Sequence, residues 1–133
     1  TYSLNQDMVV TINYAYEENG VLMYPDLIKV KVALDNGEIL GIEAISYLNA
    51  HTKRDLITPK VSSEEVKIKL NPDLKIENER MAVIPLNNNK EAYCYEFKAK
   101  LEDKDFLIYI NTETGKEEEI LVLLETAGGT LTI

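Results

Sequence analysis

Shifting the sequence by 78 residues brings Gly37 onto Gly115, and the residues on either side fall into one register. Ile28, Val30 and Val32 land on Phe106, Ile108 and Ile110, while Ile42 and Ala44 beyond the turn land on Ile120 and Val122. Side chains along a strand alternate between faces, so a slip of one residue would turn every apolar position to the wrong side. Agreement on both sides of a glycine turn is therefore the mark of an internal repeat. It constrains the chain to two related sheet units.

The local pattern agrees with strands. Val10, Ile12, Tyr14 and Tyr16 alternate with Thr11, Asn13 and Ala15, and the run stops at Asn19-Gly20, a hairpin signal. A second alternation, Ile28 to Leu34, stops at Asn36-Gly37, where both residues tolerate the positive φ of a two-residue turn. Residues 39–48 are read as the returning strand, followed by an irregular loop over 49–57. Further strands are predicted at about 74–86, 91–101, 105–111 and 117–125, with the tail beyond them leaving the sheet. Thr114-Gly115 closes the last hairpin as a type I turn with a bulge, Gly115 taking positive φ.

One helix is predicted near 62–70. Ser62 with Glu65 three residues on makes a capping box, Val61 and Val66 are spaced for a hydrophobic staple, and Pro72 forbids continuation. Val66 and Leu70, four apart, share the face expected to be buried. The same shift of 78 residues puts the first unit's helix ahead of Thr1, in a longer parent. The predicted architecture is thus α+β: antiparallel sheet units with a helix packed on the sheet, the first lacking its N-terminal helix. The division is 1–56, the back half of a unit built of strands, and 57–133, a complete unit.

Composition excludes several functions. A net charge of −9 works against a phosphate backbone, which needs a basic stripe to displace counterions. No apolar run approaches the roughly 18 residues of a membrane span. The single Cys94 rules out an internal disulfide and a thiolate zinc site. Asp103 and Asp105 share a tight turn but lack the spaced oxygen ligands of a calcium loop. Glu117, Glu118 and Glu119 are consecutive in a strand, so their carboxylates point to alternate faces and cannot converge as an acid–base pair. No nucleophile elbow, phosphate loop or zinc-protease motif is present. The chain is read as non-catalytic, with no cofactor, no metal and no small-molecule ligand.

The capped helix "SSEEVKIKL", the strands after it and the closing hairpin "YINTETGKEEEI" resemble the PepSY domain family. The match is full over 62–125 and partial over 8–48, where "VALDNGEILGIEA" stands in for the same hairpin. The longer strings "YPDLIKVKVALDNGEILG" and "YCYEFKAKLEDKDFLIYINTETGKEEEIL" are similar to a spore-germination branch of that family. The resemblance implies a parent with an N-terminal membrane anchor and tandem PepSY domains on the extracytoplasmic face of the spore inner membrane, within the spore integument. The implied partner is a SleB-like cortex-lytic hydrolase, retained, stabilised or inhibited in the dormant spore. PepSY modules in protease propeptides imply a chaperone or inhibitor role as the alternative. A cell-wall glycan-binding module also stays open, and it would need a groove that opposes aromatics and carboxylates.

Candidate contacts for a protein partner follow from exposure. Tyr24, before Pro25 in "MYPD", is expected in an irregular connection where an aromatic can anchor an interface. His51 and Arg54 are expected on the surface of the 49–57 loop. Tyr93, Tyr95 and Phe97 share one strand face with Ala99 and Leu101 and are read as core, and Cys94 as a packed residue.

Overall fold

A computed structural model describes residues 2–4, 8–126 and 129–132. Strands dominate: β1 (Tyr2–Leu4), β2 (Val9–Glu18), β3 (Val21–Ala33), β4 (Ile39–Glu43), β5 (Lys75–Pro85), β6 (Glu91–Leu101), β7 (Lys104–Asn111), β8 (Glu117–Thr126) and β9 (Gly129–Thr132). Two short helices, α1 (Ile45–Ala50) and α2 (Ser63–Lys69), make this a sheet-dominated α+β fold. The strands form one sheet in the order β1-β2-β3-β5-β6-β7-β8-β9, with β4 pairing β3 off that path. Pairing is antiparallel except between β3 and β5, which run parallel over only three residue pairs, Val21–Met23 against Met81–Val83. The backbones of β1 and β9 approach each other, so the two ends of the sheet curl together.

The Gly37 and Gly115 hairpins share their hydrogen-bonding pattern. Val30 stands opposite Ile42, and Ile108 opposite Ile120. A bulge follows at the same point in each, between Lys31 and Val32 and between Tyr109 and Ile110. Gly37 N–H donates to Ala33 O at 2.8 Å, and Gly115 N–H to Asn111 O at 2.9 Å. Both glycines have positive φ, +74° and +70°. Asn36 does not, so this turn is not the two-residue type predicted. Its side chain instead accepts the Glu38 N–H at 2.9 Å, fixing a longer loop of the kind expected at Thr114-Gly115.

α2 forms where its signals place it. Ser62 Oγ accepts the Glu65 N–H at 3.2 Å, Glu64 and Glu65 occupy the positive first turn, and Lys67 and Lys69 the last. Val66 drops onto the sheet among Tyr95, Phe97, Ala99, Ile108 and Ile110, with Val61, Leu70 and Leu74 around it. Burying a side chain of this size contributes about 1.5–3 kcal/mol. The opposite sheet face holds a second cluster, Ala82, Ile84, Ala92, Cys94 and Tyr109.

Three local expectations are corrected. Residues 45–50 are helical, where a continuing strand was predicted: Glu43 Oε1 accepts the Ile45 N–H at 2.7 Å and turns the chain out of β4. Tyr24 and Pro25 lie inside β3, because that strand continues across a bulge opposite Ala15 and Tyr16. The tail forms β9 against β8.

Candidate functional site

The polar centre of the molecule lies where β3, the 49–57 segment and the start of β6 meet. Asp26 is 0% exposed. Its carboxylate accepts from Arg54 Nη1 and Nη2 at 2.9 and 2.7 Å and meets His51 Nδ1 at 2.7 Å. Burial of Asp26 opposes ionisation, but the Arg54 and His51 hydrogen bonds outweigh it and hold the carboxyl below the ordinary carboxylate range. The other edge of the guanidinium grips Glu91, Nε to Oε1 and Nη2 to Oε2, both at 2.9 Å, while Nη2 also reaches Ala50 O at 3.0 Å. Arg54 thereby joins β3 to β6 beside the three-residue parallel junction. The His51 ring stacks on Tyr47, with centroids 4.5 Å apart, and takes the edge of Tyr16 at 4.9 Å.

A second polar cluster sits on the opposite sheet face. The buried carboxylate of Glu96 accepts the hydroxyls of Tyr24 at 2.5 Å and Tyr109 at 2.8 Å. Burial, reinforced by the Glu96 charge, raises both tyrosines above the ordinary phenol range. Cys94 is 0% exposed, and burial pushes its thiol up to about 12, away from nucleophilic use.

The structure brings His51 and Arg54 together on Asp26. Tyr24 hydrogen-bonds inward, and Pro25 is half-buried within β3. The four candidate contacts are therefore not one exposed surface: three of their side chains are committed to internal partners. Asn36, Gly37, Thr114 and Gly115 sit in hairpin turns, Thr114 Oγ1 accepting the Lys116 N–H at 3.2 Å. Asp26, Glu91 and Glu96 went unnoticed in the sequence. Asp26 and Glu96 are acids at positions whose strand neighbours are apolar, which is the one signal that points to them. Among the described residues no group of three or more His, Cys, Asp or Glu is placed to hold a metal.

The apolar surface is the remaining feature. On β4 and α1, Ile39, Leu40, Ile42, Ile45 and Leu48 are all exposed. A cleft of about 250 Å³ lies between the 54–60 segment and Tyr93, Asn111 and Thr112. Among the described residues no helix is long and apolar enough to cross a membrane.

Comparison with known proteins finds several that resemble this chain. The family described as "YpeB sporulation, PepSY1 and PepSY2 domains" matches residues 1–57. Curated proteins named "Sporulation protein YpeB" match most of the chain. That of Halalkalibacterium halodurans is 42% identical over 89% of this chain, and that of Bacillus subtilis 37% identical over 89%. The chain spans 26% of the length of each. A solved structure, the Bacillus megaterium YpeB C-terminal domain, is 35% identical with a TM-score of 0.82, over 93% of this chain and 55% of that one.

Proposed function

The chain belongs to the YpeB sporulation-protein family, and from that premise we propose that it is a non-catalytic protein-binding region of a spore germination protein. It helps retain, stabilise or inhibit a SleB-like cortex-lytic hydrolase in the dormant spore. It works on the extracytoplasmic face of the spore inner membrane, to which the parent is anchored elsewhere. We read it as two PepSY-like units, 1–56 and 57–133, a division supported by the shared hairpin register and by the family match over 1–57.

One contrast carries this reading. Two buried acids are held by internal partners, Asp26 by Arg54 and His51, Glu96 by Tyr24 and Tyr109. Large apolar side chains meanwhile project outward from β4 and α1. Groups locked in mutual hydrogen bonds support a scaffold, while exposed apolar patches support docking. The net charge of −9 adds long-range attraction for a basic partner, which salt screens.

The test is a titration of purified cortex-lytic hydrolase with this chain at low and high salt, following binding and cortex hydrolysis together. A complex in the micromolar range or tighter, weakened by salt, is expected. Absence of a complex at tens of micromolar in both conditions removes the hydrolase-binding role from this region. Cosedimentation with peptidoglycan in place of hydrolase binding would favour the glycan-binding alternative.

A further inference from the structure

The segment between α1 and α2 is a strap fastened at both ends. At one end Arg54 is clamped by Asp26 and Glu91. At the other, the Lys60 and Val61 N–H groups both donate to Thr112 O, at 2.9 and 3.1 Å, and the Tyr95 hydroxyl donates to Val61 O at 2.7 Å. Residues 55–58, between these anchors, are all exposed. Among the described residues, none of their backbone groups pairs with another backbone group. Unpaired backbone at a surface can take the N–H and C=O groups of an extended peptide.

Two hollows share Arg54, Asp55, Leu56 and Tyr93 as common walls, so they are neighbours along one groove. The first is the cleft of about 250 Å³, which is also lined by the buried Val83 and Ala92. The second opens toward Glu18, Asn19, Val21 and Met23. Pockets for free small molecules run to about 300–1,000 Å³, so the cleft suits one bulky side chain better. Its Val83 and Ala92 walls make that side chain an apolar one. Charge selects what flanks it. Arg54 is matched by Asp26 and Glu91, and Lys60 by Glu113 at 3.1 Å. Glu18 and Asp55 have no ion-pair partner among the described residues. The unmatched charges of the groove are both negative.

We propose that this groove docks an extended segment of a partner protein. A bulky apolar residue of that segment fills the cleft beside Tyr93, and a lysine or arginine two positions away meets Asp55 and Glu18. Side chains two apart on a strand share a face, so one segment can use both hollows at once. Its backbone hydrogen-bonds to the unpaired groups of the strap. The inference rests on reading the chain as a protein-binding region, and it adds where a partner segment lies and what chemistry that segment carries.

The probe is the peptide acetyl-Lys-Thr-Leu-Thr-Lys-amide, titrated at low salt into the isotope-labelled chain while amide NMR shifts are followed. Saturable shifts are expected over residues 54–60, at Tyr93 and over residues 18–23. Replacing the peptide's leucine by serine should weaken binding about tenfold or more. A chain carrying both Glu18→Lys and Asp55→Lys should bind the original peptide more weakly by a similar factor. Both acids are exposed, so this variant should keep the wild-type melting temperature. No saturable shift at millimolar peptide, shifts confined to residues 39–48, or equal affinity for the serine peptide would overturn the proposal. The cortex-lytic hydrolase separates this inference from the proposed function. Equal hydrolase binding by the wild type and the doubly substituted chain sinks the groove as the docking place and leaves the function standing. Peptide bound in the groove with no hydrolase bound removes the function and leaves the groove.

Discussion

Replacing Arg54 by Met should be among the most damaging single changes in the molecule. Five hydrogen bonds disappear: two to Asp26, two to Glu91 and one to the Ala50 carbonyl. They are not equal in consequence. The Glu91 side chain is 32% exposed, so water replaces what it loses and its share is below about 1 kcal/mol. Asp26 is 0% exposed and would be left with His51 alone. Removing one partner of a buried ion pair costs about 3–5 kcal/mol, because the remaining charge stays desolvated. With a urea dependence of about 1–3 kcal/mol per molar, the unfolding midpoint should fall by about 1–5 M, measured by tyrosine fluorescence and circular dichroism. Arg54→Lys keeps the charge but loses the planar fork and should fall between. Asp26→Leu combined with Arg54→Met should recover most of the loss, since no charge is then stranded. The folded pKa of Asp26 is lowered, so its contribution is present above the unfolded value of about 3.9. It is lost as pH falls through the folded value, and the gap between wild type and Arg54→Met should close below about pH 4. A loss under about 1 kcal/mol at neutral pH would refute the view that Arg54 joins β3 to β6.

Gly115→Val should cost about 1–3 kcal/mol from positive φ alone, and more than Gly37→Val. A Cβ at Gly115 meets the Val61 methyls at 3.4 and 3.5 Å, while Gly37 faces open space, and urea midpoints of the two variants decide the order. In a spectrophotometric titration of the folded protein, Tyr24 and Tyr109 should stay protonated past the ordinary phenol value of about 10. Glu96→Leu should weaken that protection only in part, since burial, its larger cause, remains, while destabilising the fold by about 1–3 kcal/mol for each hydroxyl left unpaired. Cys94, with its thiol pushed up to about 12, should react with a disulfide reagent at pH 8 only in denaturant, and rapid labelling of the native chain would contradict its burial.

Much of the sheet was legible from the chain alone. Period-two alternation fixes which side chains share a face, glycine fixes where φ can turn positive, and Ser62 with Pro72 bounds α2, all through interactions a few residues long. Those rules failed at Ile45–Ala50, an apolar run that reads as strand but turns helical where Glu43 accepts the Ile45 N–H. They failed again at Tyr24 and Pro25, where the proline suggested a break that the bulge in β3 absorbs. The polar centre was beyond their reach. Asp26 and Arg54 are 28 residues apart and Tyr24 and Glu96 are 72 apart, and no local pattern states that two such groups will meet. Only the parallel joining of β3 to β5 sets Asp26 near Glu91 with Arg54 between them. The sequence by itself determined the strands, the turns, the capped helix and the shared register, because backbone sterics and alternation act locally. Tertiary structure alone decided which charges are buried together and which apolar face stays open, because desolvation depends on everything packed around a group.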